Sequence, residues 1–371
     1  MTKHIFGPER IRVLQLITGL GAGGAERLLL DLLLKFDPTQ FDVRVATLSS
    51  ELGGLAVYGH PDLSVEVFDM SKPSKLQQFA NLRRFVRSFA PHVLHAHMFH
   101  ALAAGLLVTR TGRNSPAVCF TSHCYQQAFS PARLAMLRWT RHMRDADVIF
   151  SADQHPHLNA RRTVVIPNGV PVPDVPPDRC QWHPSGPVRL LAVGRLADQK
   201  DPLGLIHDFA ALSARSAKLT FAGEGPLDAE ARALVARLGI SDRVQFLGVR
   251  SDVRDLMRAS DILVMRSKYE GMPMVLLEAG AEAMPVVATD VGAMPSLLGG
   301  SRGWLSPPEH FAANLAEAIR NPEAAVQRGR ELHRHVAASH SIHSTASAHE
   351  QLYADLATAV EGSLTILRAS R

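Results

Sequence analysis

The chain has 371 residues, of which 46% are hydrophobic and 20% are charged, and its formal net charge is +5. This composition excludes an intrinsically disordered chain and leaves room for two globular domains, each with its own core. Cys119, Cys124 and Cys180 lack the spacing of a zinc site, so we expect reduced thiols in a cytoplasmic protein. We expect neither a signal peptide nor a membrane-spanning segment, and no basic, aromatic-rich module indicates nucleic-acid binding.

A glycine-rich turn follows the first predicted strand and precedes a predicted helix. Gly19, Gly21 and Gly24 fit the G-x-G-x-x-G pattern, which lets a backbone approach a phosphate closely. Glu51, after the second predicted strand, is in a suitable place to bind a ribose. This segment alone therefore supports the hypothesis of an NAD(P)-dependent oxidoreductase.

Predicted strands alternate with predicted helices through both halves of the chain. This alternation indicates the α/β class, with doubly wound parallel sheets whose ligands bind at the carboxyl ends of the strands. The predicted strands are residues 11–17, 41–48, 65–68, 92–97, 117–121, 147–151, 164–167, 188–193, 218–222, 244–247, 262–265 and 285–289.

A proline-rich segment interrupts the alternation. It holds six prolines between residues 171 and 187, a composition that fits neither a helix nor a central strand. We therefore predict a first domain over residues 1–172, a linker over residues 173–187 and a second domain over residues 188–345. Residues 314–371 are predicted to be helical.

Histidines cluster where two predicted strands end. His95 and His97 close one strand, His100 follows it, and His123 follows the next strand. Histidines two residues apart can bind a metal, but no third ligand of suitable spacing lies near them in the sequence. We therefore expect no metal site, and we expect His95 and His100 to be buried, hydrogen-bonded core residues.

An Asp-x-Asp pair, Asp145 and Asp147, mimics the metal-binding motif of a different transferase fold. The pair directly precedes a predicted strand and lies away from any other cluster of candidate ligands. We therefore expect a structural role for it at the start of the strand.

Two basic amphipathic segments, residues 74–90 and residues 133–144, lie in the first half. In the first of them Leu76 begins an apolar stripe, and arginines lie near or opposite that stripe. Such helices either pack on a sheet with the arginines in solvent or dock on an anionic membrane surface. The sequence leaves both interpretations open.

Two cations follow the first strand of the second half. Arg195 and Lys200 come after the carboxyl end of residues 188–193, where parallel sheets bind ligands. Arginine offers a fork of donors and lysine a mobile charge, so the pair can neutralise a diphosphate.

Residues 268–298 carry the most informative pattern. Glu270 precedes a Gly-Met-Pro turn, and Pro273 suits the first turn of a helix predicted over residues 274–283. A helix N-terminus attracts phosphate, whereas carboxylates such as Glu270 and Glu278 accept hydrogen bonds from sugar hydroxyls. The combination indicates a nucleotide sugar as ligand.

These motifs, in this order, resemble those of glycosyltransferase family 4. The matching positions are Gly24, Ala25, Glu26, Arg195, Lys200, Gly248, Glu270, Glu278 and Pro285. The resemblance implies the GT-B fold, with two Rossmann-like doubly wound domains facing a central cleft and a last helix, residues 346–371, that crosses back to the first domain. It also implies a retaining transfer that needs no metal or other cofactor.

The resemblance assigns roles residue by residue. Arg195 and Lys200 would bind the diphosphate, and Glu278 the ribose. The remaining expected positions are Glu270, Gly271, Met272 and Pro273 at the donor sugar, Gly248 near the base, His123, Gly21 and Gly24 at the reacting centre, and His97 and Glu26 on the acceptor side.

The resemblance thus implies a hexosyltransferase that uses a UDP-sugar, or GDP-mannose as the next choice. The expected acceptor is a saccharide or lipid-linked saccharide of a surface polysaccharide, lipopolysaccharide or glycolipid, reached from the cytoplasm or from the inner face of the membrane. The alternatives are the NAD(P)-dependent oxidoreductase and a catalytically silent protein that binds sugar nucleotides.

Overall fold

The computed structural model describes residues 10–109, 115–123, 129–150, 160, 162–177, 186–212 and 217–369, with side chains as far as residue 359. Cys124, Cys180 and residues 178–185 of the predicted linker lie outside the described residues. The chain divides into two compact units, Met1–Asn168 with Ile342–Arg371, and Gly169–Ser341. The sequence places the corresponding boundaries at residues 172 and 345.

The first unit contains a parallel sheet between two layers of helices. Its described strands are β1 Ile11–Ile17, β2 Phe41–Thr47, β3 Val65–Val67, β4 Val93–His97, β5 Ala117–Thr121, β6 Ala146–Ile149 and β7 Arg162–Val165. Its described helices are α1 Gly24–Leu33, α2 Gly53–Val57, α3 Lys75–Phe89, α4 Met98–Thr109, α5 Pro131–Thr140 and α13 Ile342–Ala369. The strand order is β3-β2-β1-β4-β5-β6-β7, and every pairing is parallel.

The second unit repeats this architecture. Its described strands are β8 Val188–Val193, β9 Ala217–Ala222, β10 Val244–Phe246, β11 Ile262–Met265, β12 Val286–Thr289 and β13 Trp304–Ser306. Its described helices are α6 Pro202–Ala210, α7 Asp228–Arg237, α8 Val253–Arg258, α9 Met274–Ala281, α10 Met294–Leu298, α11 Phe311–Arg320 and α12 Pro322–Ser339. The strand order is β10-β9-β8-β11-β12-β13, again with parallel pairings.

Both sheets reverse their strand order beside their first strand. β1 lies between β2 and β4, and β8 lies between β9 and β11. The connections on the two sides of that strand run in opposite directions, which opens a crevice at the carboxyl ends of the strands. Two Rossmann-like parallel sheets were predicted from the sequence, and that fold class is confirmed.

The cores explain why the strands read as apolar runs. In the first unit Leu14 of β1 and Leu94 of β4 are fully buried, with Leu82 of α3 and Leu102 of α4 in the same cluster. A parallel strand covered by helices on both faces has little room for polar side chains. Gln15 of β1 is an exception, because its polar side chain is buried in this apolar layer.

Three features of the chain differ from the sequence predictions. β13 was not predicted, because three residues give too short a pattern. The predicted helical tail is broken at Asn321, where Pro322 begins α12, and again before α13. Leu76, predicted at the start of the apolar stripe of α3, is 88% exposed.

The last helix packs on the first unit. α13 contacts α1, β1, β4 and β5. Its side chains bond to distant parts of that unit: Glu350 accepts from the backbone of Asp37 and Asp355 pairs with Arg162 at 2.6 Å. Among the helices of the described residues, none is long and apolar enough to cross a membrane.

The Asp-x-Asp pair has a structural role. Arg144 donates two hydrogen bonds of 2.8 Å to the two carboxylate oxygens of Asp147, and both residues are at most 3% exposed. The backbone N–H of Ala160 also donates to Asp147, at 2.7 Å. Asp145 accepts from the backbone N–H of Val118 at 2.7 Å, next to the start of β6. Both carboxylates thus tie local backbone together.

The replacement Asp147→Ala should therefore lower the free energy of unfolding by about 3 to 5 kcal/mol, because it leaves the buried guanidinium of Arg144 without its counter-charge. Urea denaturation at neutral pH measures the change. Asp145→Ala is the control, since it removes one hydrogen bond at an exposed residue and should cost about 1 kcal/mol. Equal losses for the two variants would contradict the structural role of the buried pair.

Candidate active site

An ion pair at the carboxyl end of β8 joins two of the predicted site residues. Lys200 ends a short 3-10 turn, Asp198–Lys200, and its Nζ donates to Oε1 of Glu270 at 2.5 Å. Ser267 donates its hydroxyl to the same oxygen at 2.6 Å. The Glu270 side chain is 5% exposed and that of Lys200 is 24% exposed. Two donors thus fix the carboxylate through one oxygen and leave its second oxygen available to a ligand.

A recess of about 350 Å³, including space open to solvent, lies beside this pair. It is lined by Gly194 and Arg195 after β8, by Lys200, and by Arg266 and Ser267 after β11. The recess therefore occupies the point where the strand order of the second sheet reverses. Three cationic side chains line it, Arg195, Lys200 and Arg266. Lys200 is paired with Glu270, whereas Arg195 is exposed and offers a fork of donors to an anion such as a diphosphate.

Arg266 is held against the wall of the recess by two carboxylates. Its Nε donates to Asp208 at 2.5 Å, and its Nη1 bonds to Asp201, the N-terminal cap of α6. A side chain on Gly204 would overlap the guanidinium. The resemblance places Arg266 beside the donor-sugar pocket, at a position where the family often has proline. Its two ion-pair partners lie 58 and 65 residues earlier in the chain and could not be identified from the sequence.

Gly194, which lines the recess, belongs to a set of interlocked glycine backbone segments. Gly194 donates to the carbonyl of Ala222 at 3.0 Å, and Gly223 donates to the carbonyl of Gly248 at 2.7 Å. Gly194, Gly223 and Gly248 have φ angles of +140°, +142° and +70°. A Cβ on Gly223 would overlap the carbonyl of Gly194. Gly248, predicted near the base, is therefore tied to the loop that carries Arg195.

The Glu-x7-Glu segment begins a helix, with one correction. α9 begins at Met274 and Pro273 is its N-terminal cap, whereas the sequence places Pro273 inside the first turn. Met272 and Pro273 are buried, so a ligand at this turn would meet mainly backbone. Glu278 is the fifth residue of α9, about 6 Å along the helix axis from its start, and is partly exposed.

In the first unit, two carboxylates lie on the glycine-rich turn. A Cβ on Gly21 would overlap the carboxylate of Glu51, and a Cβ on Gly23 would overlap that of Glu26. Burial raises the pKa of Glu26, and the negative charge of Glu51 raises it further. A pyrophosphate at this turn would be repelled, whereas hydroxyl groups can donate to the carboxylates. This arrangement disfavours a dinucleotide and suits the acceptor-side prediction for Glu26.

The histidines behave in three ways. His95 is fully buried and bonded to Tyr353 and Thr121, as expected of a core residue. His100 lies on α4 and is exposed, so the prediction that it is a buried core residue is wrong. It is the third residue of α4, just beyond the end of β4. His97 and His123 form a pair whose Nδ1 and Nε2 atoms are 3.0 Å apart.

His97 and His123 are neutral at pH 7. Burial lowers the pKa of His123 from 6.5 to about 4 and lowers that of His97 well below 6.5. Within the described residues, no group of three histidine, cysteine or acidic side chains could hold a metal ion.

The predicted residues thus fall into two sets, one in each unit. In the second unit Arg195 and Lys200 line the recess, Glu270 bonds to Lys200, and Gly248 bonds to the backbone of Gly223. The turn before α9 directly follows Glu270 in the chain. His97 pairs with His123 in the first unit. Gly21, Gly24 and Glu26 lie there on the turn after β1, with Gly24 exposed as the first residue of α1.

Comparisons with known proteins agree with this division. The family model named Glycosyltransferase Family 4 matches residues 22–173, and the model of glycosyl transferases group 1 matches residues 187–321. EpsF of Bacillus subtilis is 25% identical over 75% of this chain and 79% of its own. The lipopolysaccharide core biosynthesis mannosyltransferase LpcC of Rhizobium leguminosarum is 28% identical over 71% of this chain and 78% of its own.

The fold is also shared with solved structures. The crystal structure of HepE from Anabaena in complex with UDP and glucose superposes with a TM-score of 0.79 at 19% identity, covering 92% of this chain and 99% of HepE. Other relatives are matched over shorter stretches, and the chain covers 30% to 39% of the length of three of them.

Proposed function

The chain belongs to the glycosyltransferases of the family 4 type, and we propose that it transfers a sugar from a UDP-sugar to a saccharide or lipid-linked saccharide, with retention of anomeric configuration. The observation that carries the proposal is the recess of the second unit, where Arg195 and Lys200 lie beside the fixed carboxylate of Glu270. A nucleoside diphosphate needs the cations, and a sugar needs the carboxylate.

The assignment of residues to parts of the donor follows from charge and geometry. Arg195 and Lys200 bind the diphosphate, and Lys200 bridges it to Glu270. The free oxygen of Glu270 accepts a hydrogen bond from a sugar hydroxyl, with backbone of Gly271 beside it. Glu278, further along α9, accepts from the ribose hydroxyls.

The reaction breaks the bond between the anomeric carbon and the diphosphate oxygen, and forms a bond from that carbon to the acceptor oxygen on the same face. The acceptor proton passes to an oxygen of the leaving phosphate. Because the negative charge develops on the diphosphate, Arg195 and Lys200 stabilise the transition state more than the ground state. We propose that these two cations supply the charge that a metal ion supplies in other transferases.

The relatives support a role in cell-surface saccharide synthesis. LpcC is named for lipopolysaccharide core biosynthesis, and another relative, AmsD of Erwinia amylovora, is named for amylovoran biosynthesis. UDP is our first choice of nucleotide because HepE was crystallised with it, and the mannosyltransferase activity in the name of LpcC makes GDP-mannose the second. We propose a saccharide or lipid-linked saccharide of a surface polysaccharide as acceptor.

Donor binding is tested by thermal unfolding against UDP-, GDP- and ADP-sugars and NAD(P)H, with EDTA present. A ligand at a hundred times its dissociation constant stabilises the folded state by about 2.7 kcal/mol. We expect a shift with one UDP-sugar that survives EDTA and is lost in Glu278→Ala. A shift with NAD(P)H alone, or one abolished by EDTA, would contradict the proposed metal-free transferase.

Turnover is tested with a matched pair of lysine variants. Lys200 and Lys268 both link the segment 198–200 to the segment 268–270, Lys200 through Glu270 and the more exposed Lys268 through Asp198. We expect Lys200→Ala to lower kcat by about 100-fold or more, because it removes a charge at the leaving diphosphate. Lys268→Ala should leave kcat within about twofold, as an exposed ion pair contributes little. Equal effects on kcat would show that Lys200 acts only as a tether.

A membrane surface is a second proposed partner. Trp139 at the end of α5 is 77% exposed, and Leu76 at the start of α3 is 88% exposed. Exposed basic residues adjoin them in sequence, among them Lys75, Arg138 and Arg141. An exposed indole beside arginines suits the boundary of an anionic leaflet. We propose that these residues bring the enzyme to a lipid-linked acceptor.

Sedimentation with phosphatidylcholine vesicles, with and without phosphatidylglycerol, tests this surface. We expect binding only to the anionic vesicles, weakened about tenfold or more by Trp139→Ala through the lost burial of the indole. Val175→Ala is the control, because Val175 is equally exposed, at 77%, in a segment without basic residues. Equal binding to vesicles with and without phosphatidylglycerol, or equal binding by wild type and Trp139→Ala, would contradict the proposal.

A further inference from the structure

A chain of hydrogen-bonded side chains crosses the buried layer above β1, β4 and β5. It runs from Thr121 at one end to His123 at the other and passes through the last helix, α13. The links are Thr121 to His95 at 2.7 Å, His95 to Tyr353 at 2.7 Å, Tyr353 to Gln15 at 2.9 Å, Gln15 to His97 at 2.8 Å and His97 to His123 at 3.0 Å.

The amide of Gln15 gives this chain a direction. Its carbonyl oxygen faces Nε2 of His97, and a carbonyl oxygen can only accept, so His97 donates from Nε2. A neutral imidazole carries one N–H, which makes Nδ1 of His97 an acceptor. His123 therefore donates to it from Nε2, and Nδ1 of His123 carries no proton.

The other half of the chain follows from the same amide orientation. The amide nitrogen of Gln15 donates to the hydroxyl oxygen of Tyr353, and the hydroxyl then donates to Nδ1 of His95. His95 consequently carries its proton on Nε2 and donates to Thr121. Each bond thus has one donor and one acceptor while every ring stays neutral.

The surroundings keep the rings neutral at pH 7. Burial lowers the pKa of His95 and His97 well below 6.5 and that of His123 and His349 to about 4. His349 of α13 stacks on His95, with ring centroids 5.8 Å apart. Among the described residues, the Tyr353 hydroxyl and the Cys119 thiol of β5 also lie here, and burial raises the pKa of both, so neither carries a charge at pH 7.

We propose that Gln15 and Tyr353 are positioning residues that, through His97, hold His123 in the tautomer protonated on Nε2. Nδ1 of His123 is then a permanent hydrogen-bond acceptor for a hydroxyl group of the sugar substrate. The substrate part of this inference rests on the proposed function, whereas the tautomer follows from the bonds within the first unit alone.

An unprotonated Nδ1 of His123 favours a ligand that carries a hydrogen-bond donor at this place. An acceptor nitrogen binds a hydroxyl but leaves an ether or fluorine substituent at the same place without a donor. Fixing the tautomer in advance removes the cost of reorienting protons when the substrate binds. Because Tyr353 belongs to α13, the last helix helps to determine the tautomer of His123.

The tautomer is measured directly by ¹⁵N NMR of protein labelled at histidine, with the His123 signals assigned through His123→Gln. We expect wild type to carry the proton on Nε2. Gln15→Met, similar in length but without the amide, should give a mixture of tautomers. It should lower kcat/KM about tenfold, the value of one hydrogen bond, while the affinity for the free nucleotide stays unchanged.

Two variants of α13 separate positioning from packing. Tyr353→Phe keeps the ring but removes the hydroxyl, and it should shift the tautomer of His123 in the same sense as Gln15→Met. His349→Phe is the control, because His349 bonds to the carbonyl of Thr345 and stays outside the chain. It should leave the tautomer unchanged.

Protonation of His123 on Nδ1 in wild type, or an unchanged tautomer in Gln15→Met, would overturn the proposal. Should no nucleotide sugar be turned over, the NMR result still stands, so failure of the proposed function is distinguishable from failure of this inference.

Discussion

The reversal of strand order beside β1 and β8 is the constraint on which both candidate sites depend. Parallel strands send their connections outward in opposite directions on the two sides of that strand, so the backbone cannot close over its carboxyl end. Each sheet therefore keeps one open point where side chains from several loops meet without blocking one another. Arg195 and Lys200 follow β8 at this point, and Ser267 follows β11. In the first sheet the glycine-rich turn follows β1, and His97 closes β4.

Polar groups at such a point must be satisfied before a ligand arrives, because an unpaired buried group is costly. The two units meet this need differently. The second unit uses charge: Glu270 is held by Lys200 and Ser267, and Arg266 by two aspartates. The first unit uses neutral rings and an amide joined in series. The charged arrangement suits a diphosphate, whereas the neutral one suits sugar hydroxyls, which require no counter-charge.

Much of this arrangement is local and could be predicted from the sequence. The strands were found because parallel, covered strands are short apolar runs. Lys200 was found because it follows the carboxyl end of a strand, and Glu270 because it precedes a Gly-Met-Pro turn at the start of a helix. Contacts between residues far apart in the sequence could not be predicted. Arg266 pairs with Asp208 across 58 residues. His100 and Leu76 lie in the first turns of α4 and α3 and are exposed, which periodicity alone does not predict.

The hydrogen bond between Tyr353 and Gln15 is the clearest example of a contact that the sequence does not predict. The two residues lie 338 residues apart, and nothing near either residue points to the other. One local signal does exist: a glutamine inside an otherwise apolar, fully covered strand must find partners for both ends of its amide. In this fold the partners come from β4 and from the helix that returns to the first unit after the second is complete. The returning helix thus supplies a hydrogen bond that an isolated β1–β7 segment would lack, which gives a chemical reason for the discontinuous first unit.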